Sequence, residues 1–259
     1  MKLQYSYKNN PFGFSPKGLV FEYLKIDQKR NVNILDFGCR NGDFLAALKY
    51  NSLIKNALGV DLDSNIIEVA KKNNPNIDFQ LITKNYKFPI IDGYFDTITI
   101  IGVVEHVYDQ VGLLNEMARM TKKNGLIYIA VPGQHFFSFL DMGNFKFRFP
   151  KLHKYYFNLF MSKEDYHYKY VSNEFGCIGD IEAEKAWHEH FSRNSMQKLI
   201  NNVAGLEIKT IDGLGFFYRI LINTRYFLPS FLKNGVDKLI LLDFKYFSVG
   251  ELVFILKKN

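Results

Sequence analysis

Residues 36–42, Asp-Phe-Gly-Cys-Arg-Asn-Gly, set a carboxylate beside a glycine-bearing turn. A dinucleotide-binding loop would read Gly-x-Gly-x-x-Gly, so that backbone N–H groups at a helix N-terminus take up a pyrophosphate. The spacing here does not match. Asp36, two residues before Gly38, repels a phosphate and attracts a cation or an ammonium group, so the ligand is expected to be positive at this point. About 20 residues further on, in Gly59-Val60-Asp61-Leu62-Asp63, Asp61 is the acid best placed to accept hydrogen bonds from both hydroxyls of a ribose.

Proton transfer would fall to histidine. His106 lies in Gly102-Val103-Val104-Glu105-His106-Val107-Tyr108-Asp109, and an imidazole of ordinary pKa, about 6.5, suits proton removal from a hydroxyl. Glu105 is placed to orient it or to bond a ligand, or to cap the following helix. His135 and His190 are the other two candidates. His188-Glu189-His190 lacks the i, i+4 spacing of helical metal ligands, and Cys39 and Cys177 stand in no Cys-x-x-Cys cluster, so no metal is expected.

These residues need a scaffold that alternates strand and helix. Val32 to Phe37 is a short apolar run closed by Gly38, and Asp43 to Tyr50 follows with helical spacing of Phe44, Leu45, Ala47 and Leu48. Ser15-Pro16 reads as the cap of a preceding helix. Strands are expected at 57–61, 77–82, 95–101, 125–131, 206–211 and 250–257, and helices at 64–72, 110–120 and 192–203, with Asp63 as an N-cap. Such alternation predicts right-handed crossovers and a mostly parallel, Rossmann-like α/β sheet of seven strands with helices on both faces. The last strand is expected at the sheet edge, yet buried on both faces. One domain is expected over 1–259: a core at 1–132, aromatic-rich cap segments at 133–190 and 213–248, and 191–212 with 249–259 completing the sheet.

Composition narrows the partners. The 33 basic and 26 acidic residues leave a net charge of +7. The excess is spread, at +3 over residues 1–131 and +4 over 132–259, so no basic block points to nucleic acid. The surface suits anionic small molecules or an anionic lipid face. No stretch is apolar enough to span a membrane and the start lacks a secretory signal, which predicts a cytoplasmic protein. Phe216, Phe217, Ile220, Leu221, Tyr226, Phe227, Leu228, Phe231 and Leu232, interleaved with Arg219, Arg225 and Lys233, exceed what one helix face needs. They read as a lid core, as a peripheral membrane contact or as a homodimer interface.

Asp36, Gly38, Cys39 and Gly42 resemble the first motif of the class I S-adenosylmethionine-dependent methyltransferases, acid-x-Gly-x-Gly-x-Gly, with Arg40 in place of the middle glycine. A loop carrying that arginine must bulge or present it to solvent. The resemblance continues in Phe95-Asp96-Thr97-Ile98, in Glu105-His106-Val107 with Asp109, in Thr121 to Ile127 and in Val131-Pro132-Gly133, which resemble the small-molecule, quinone-biosynthesis-like group. It implies S-adenosyl-L-methionine as cofactor, with Asp61 as the ribose acid and Leu62 beside the adenine. Lys84 replaces the acid usual after strand three, which leaves Asn85 to offer its amide to the adenine edge. Asp36, Gly38, Cys39, Gly42 and Glu105 complete the implied cofactor set.

The expected activity is methyl transfer to a small molecule, a sugar or a lipid-linked acceptor, at oxygen. The residues leave two alternatives open: a non-catalytic relative that keeps the fold, and a nicotinamide-dependent oxidoreductase, against which Asp36 and the missing glycine spacing count. An Asn-Pro-Pro-Tyr-like tetrad, used by amino-methylating DNA enzymes, is absent after strand four.

Overall fold

A computed structural model describes residues 9–27, 32–83, 89–140, 146, 148–171 and 189–259. Helix α1 (Pro16–Ile26) is capped by the Ser15 hydroxyl, which accepts from the Gly18 N–H at 3.0 Å. The alternation then runs β1 (Val32–Phe37), α2 (Asp43–Tyr50), β2 (Ile54–Asp61), α3 (Ser64–Asn73), β3 (Asp78–Leu81), β4 (Phe95–Ile101), α4 (Gln110–Met120) and β5 (Thr121–Pro132). Asp63 caps α3 through the N–H groups of Asn65 and Ile66, as its position before Ser64 predicts.

After β5 come α5 (Pro150–Asn158), α6 (Lys163–Tyr170), α7 (Arg193–Asn201), β6 (Leu206–Gly213), α8 (Tyr218–Phe227), α9 (Ser230–Tyr246) and β7 (Glu251–Lys258). The sheet has the order β3-β2-β1-β4-β5-β7-β6, with β7 antiparallel to both neighbours and the other pairs parallel. One expectation is corrected. The final strand is not at the edge: β7 lies between β5 and β6, and β6 forms that edge. Burial on both faces is found, since Glu251 to Leu256 are all buried, and it is the interior position that explains it.

Strand alternation sorts side chains to two layers. Ile34, Tyr128, Ala130, Val253 and Ile255 face α1, α2 and α3, together with Tyr218, Ile240 and Phe244 of the α8–α9 hairpin. Leu35, Phe37, Ile127, Ile129, Val131 and Phe254 face the other way, onto α4 and Met196 and Ile200 of α7. Phe21, Phe37, Phe44 and Phe254 are all at most 2% exposed. Each such ring stabilises the fold by roughly 1.5–3 kcal/mol relative to exposure. These rigid layers leave the carboxyl ends of β1, β2, β4 and β5 to carry the functional loops.

Candidate active site

The β1 loop turns on three left-handed residues spaced by two, Gly38 (φ +79°), Arg40 (φ +50°) and Gly42 (φ +81°). Side chains avoid this conformation because Cβ crowds the following carbonyl, so the backbone at Arg40 does what a glycine normally does. The loop accommodates the arginine by presenting its side chain to solvent. At Gly38 no such solution exists, since a Cβ there would lie 2.4 Å from Val103 Cγ2.

Asp61, at the end of β2, fixes the loop from below. One of its oxygens accepts the Arg40 N–H at 2.9 Å and the other the Asp63 N–H at 3.2 Å. A carboxylate has about four lone-pair sites, so each oxygen keeps acceptor capacity. Leu62 follows directly at the same strand end, and the thiol of Cys39 is buried, which raises its pKa and leaves it inert.

Asp36 is 3% exposed at the end of β1, and the Thr99 hydroxyl donates to it at 2.7 Å from the adjacent β4. Burial pushes its pKa up to about 6, against the Thr99 bond and the charge of Lys17 on α1, while Asp61 pushes the same way as burial. A cation bound here would restore the ionised form. Neither Thr99 nor Lys17 belongs to a sequence motif. Thr99 had a signal, a hydroxyl within the apolar run of β4; Lys17 had none, because only the packing of α1 on the sheet brings it close.

Glu105 and His106 occupy a single helical turn, Val104–His106, after β4, and both are buried. Gly102 opens that turn with φ +71°, and a Cβ on it would lie 3.6 Å from Glu105 Oε1. Gln110 ties the turn to a more distant segment by donating to Val104 O at 3.1 Å and to Glu189 Oε2 at 2.8 Å.

That segment carries His190. Phe191 N–H donates to Pro132 O, and Gln134 N–H to Phe191 O, each at 2.8 Å, so residues 189–191 run alongside the end of β5. His190 is thereby close enough to His135, 55 positions away, to act on its charge. Burial, Arg219 and His190 together push the His135 pKa down to about 4. Its Nδ1 accepts the Phe137 N–H at 3.3 Å, which places the proton of the neutral ring on Nε2. Phe137 and Phe216 flank the ring, and Arg219 of α8 pairs with Glu251 of β7 at 2.7 Å. Neither Arg219 nor Glu251 carried a motif; both arrive through the late strand and the hairpin.

The motif acid Asp96 belongs to the opposite end of the sheet, where it accepts the Asn33 N–H at 2.9 Å and pairs with Lys122 at 2.9 Å. It braces β1 and β5 against β4. Asn85, Lys84, His188 and Cys177 lie outside the described residues. Among the described residues no group of three or more His, Cys, Asp or Glu is placed to hold a metal, and no helix is long and apolar enough to cross a membrane.

Comparison with known proteins agrees with this geometry. Residues 35–129 match a family model described as a methyltransferase domain. A ubiquinone/menaquinone biosynthesis C-methyltransferase of Campylobacter jejuni is 28% identical over 106 residues, 39% of this chain and 45% of that protein. A ubiquinone biosynthesis O-methyltransferase of Pelagibacter ubique is 33% identical over 109 residues, 39% of this chain and 42% of that protein. The chain thus spans less than half the length of these curated relatives. A structure of a SAM-dependent methyltransferase from Methanosarcina mazei shares the fold with a TM-score of 0.53 at 15% identity, over 91% of this chain and 96% of that one. The YcgJ protein of Bacillus subtilis does so with a TM-score of 0.53 at 16% identity, over 94% of this chain and 97% of that one. The matched segment holds the β1 loop, Asp61 and the β4 turn, so residues 35–129 are similar in sequence to a methyltransferase domain, on a fold shared with a solved S-adenosyl-L-methionine-dependent methyltransferase.

Proposed function

We propose that the protein transfers a methyl group from S-adenosyl-L-methionine to oxygen of a small-molecule, sugar or lipid-linked acceptor. One observation carries the reading: a loop with left-handed residues at 38, 40 and 42, hung by its backbone on an acid that still has acceptor capacity. The donor set fits the cofactor. Asp61 would take the ribose hydroxyls, and Asp36 would set negative charge near the methionine ammonium, whereas a phosphate would meet two carboxylates and no glycine cradle. When bound, the cofactor supplies an electrophilic methyl group on a positively charged sulfur.

The chain's own task is alignment. In-line displacement gains most from holding acceptor oxygen and methyl group in register, and a hydroxyl must lose its proton as it attacks. His135, neutral with its proton on Nε2, would hold the acceptor as a hydrogen-bond donor and is a poor base at its lowered pKa. Proton removal would fall to His106 on the β4 turn or to His190 beside His135, with Glu105 as an orienting group. The flanking Phe137 and Phe216 would exclude water from the reacting atoms.

Calorimetric titration of the purified protein with S-adenosylhomocysteine and, separately, with NADH tests this. Micromolar binding of the first and none of the second is expected, and Asp61→Ala should abolish the heat. Binding of NADH alone would select an oxidoreductase, and silence towards both a non-catalytic relative.

A further inference from the structure

The α8–α9 hairpin turns its apolar side chains the wrong way for a protein in water. Its inner face is seated: Tyr218 donates to Phe14 O at 2.9 Å, the Phe14 and Phe244 rings meet edge to face, and Ile240 is fully buried. Its tip, where Phe227-Leu228-Pro229-Ser230-Phe231 joins the helices, exposes Tyr226 (80%), Phe227 (82%) and Phe231 (78%). Along α9 a second set, Leu232, Leu239, Leu242 and Tyr246, is exposed at the spacing of one helical stripe. A helix with apolar residues on its core side and its outer side is built to be covered on both.

Charge says by what. Residues 214–248 contain two acids, and both are buried: Asp237 pairs with Arg225, and Asp243 accepts the N–H groups of Phe216 and Phe217 at 3.0 and 2.9 Å. The charged groups left towards solvent along α9 are cations, chiefly Lys238 and Lys245, which flank the apolar stripe, with Lys233 half-buried at its start. A second copy of the chain related by two-fold symmetry would set those cations against themselves, whereas a surface of anionic headgroups over hydrocarbon meets both halves of the pattern. We infer that the α8–α9 hairpin docks the protein on an anionic lipid bilayer, with the Tyr226, Phe227 and Phe231 tip entering the interface and the α9 lysines lying on the headgroups. That this delivers a lipid-linked acceptor to the site rests on the methyl-transfer reading; the docking itself stands on the surface.

The experiment is sedimentation of the full chain with vesicles of phosphatidylcholine containing phosphatidylglycerol, and with phosphatidylcholine alone, alongside calorimetry with S-adenosylhomocysteine and light scattering without lipid. The wild type should pellet with the anionic vesicles, more weakly at high salt and on neutral ones. Phe227→Ser/Phe231→Ser should weaken binding on the order of ten-fold per side chain. Lys238→Glu/Lys245→Glu should weaken it by about five-fold per lost cation. Both variants should bind S-adenosylhomocysteine as the wild type does. Failure of the wild type to pellet, binding indifferent to both variants, or a stable dimer that the Phe227→Ser/Phe231→Ser variant breaks would overturn docking. Loss of S-adenosylhomocysteine binding by the wild type would instead overturn the methyl-transfer reading and leave the vesicle result standing.

Discussion

The β1 loop and the α8–α9 hairpin use the same material to opposite ends. In the loop polar groups turn inward, Asp36 to Thr99 and Asp61 to the Arg40 N–H, and the one large charge that does not fit, the Arg40 guanidinium, goes out to water. In the hairpin the acids go inward and large aromatic residues go out. A region shaped around a small polar ligand buries carboxylates it cannot fully satisfy alone; one shaped around an apolar surface leaves rings largely open to solvent. Each departure from ordinary burial marks a missing partner, and the sign of the departure gives that partner's chemistry.

Breaking the loop should have the largest effect. Gly38→Ala combines a left-handed backbone with a Cβ 2.4 Å from Val103 Cγ2, and should destabilise the fold by about 3 kcal/mol in chemical denaturation. Next comes the base of the hairpin. Asp243→Ala leaves the Phe216 and Phe217 N–H groups without their acceptor and should cost about 2 kcal/mol, read as a lower thermal midpoint.

The third prediction concerns pH. The folded-state pKa of Asp36 is raised to about 6 by burial, so ionising it opposes folding, and its contribution to stability falls as pH rises from about 4 to 6. Ligand binding carries the opposite sign, because a cationic ligand favours the ionised carboxylate. Affinity for S-adenosylhomocysteine should therefore fall below pH 6, by up to about ten-fold per unit, and Asp36→Asn should flatten that dependence. Smaller still, Arg40→Gly relieves the left-handed strain at some gain in unfolded-state entropy, and should stabilise by about 0.5–1 kcal/mol in denaturant. Phe227→Ser should leave folding stability within about 0.5 kcal/mol, since its ring is 82% exposed and meets the equally exposed Tyr226 ring edge to face. A large loss there would mean the hairpin tip belongs to the core.

What could be read in the sequence was what depends on neighbours in the chain. The bounds of β1, α2, β4 and α4 and the Ser15 and Asp63 caps all follow from local periodicity and turn chemistry. The interior place of β7 did not, because a strand buried on both faces has the same composition wherever it sits in the sheet. Nor did the meeting of His135 with His190, which needs residues 189–191 laid along the end of β5, or the Arg219–Glu251 pair, whose partners come from a helix and a strand 32 positions apart. Asp96 stands in a motif and acts as a brace at the start of β4, since its partners Asn33 and Lys122 come from the neighbouring strands.

A crystal structure with S-adenosylhomocysteine tests the central claim most directly. The account predicts the nucleoside across the carboxyl ends of β1 and β2, its ribose hydroxyls on Asp61, with Arg40 still turned to solvent. A ligand bound elsewhere, or a crevice filled by the Arg40 guanidinium, would contradict it.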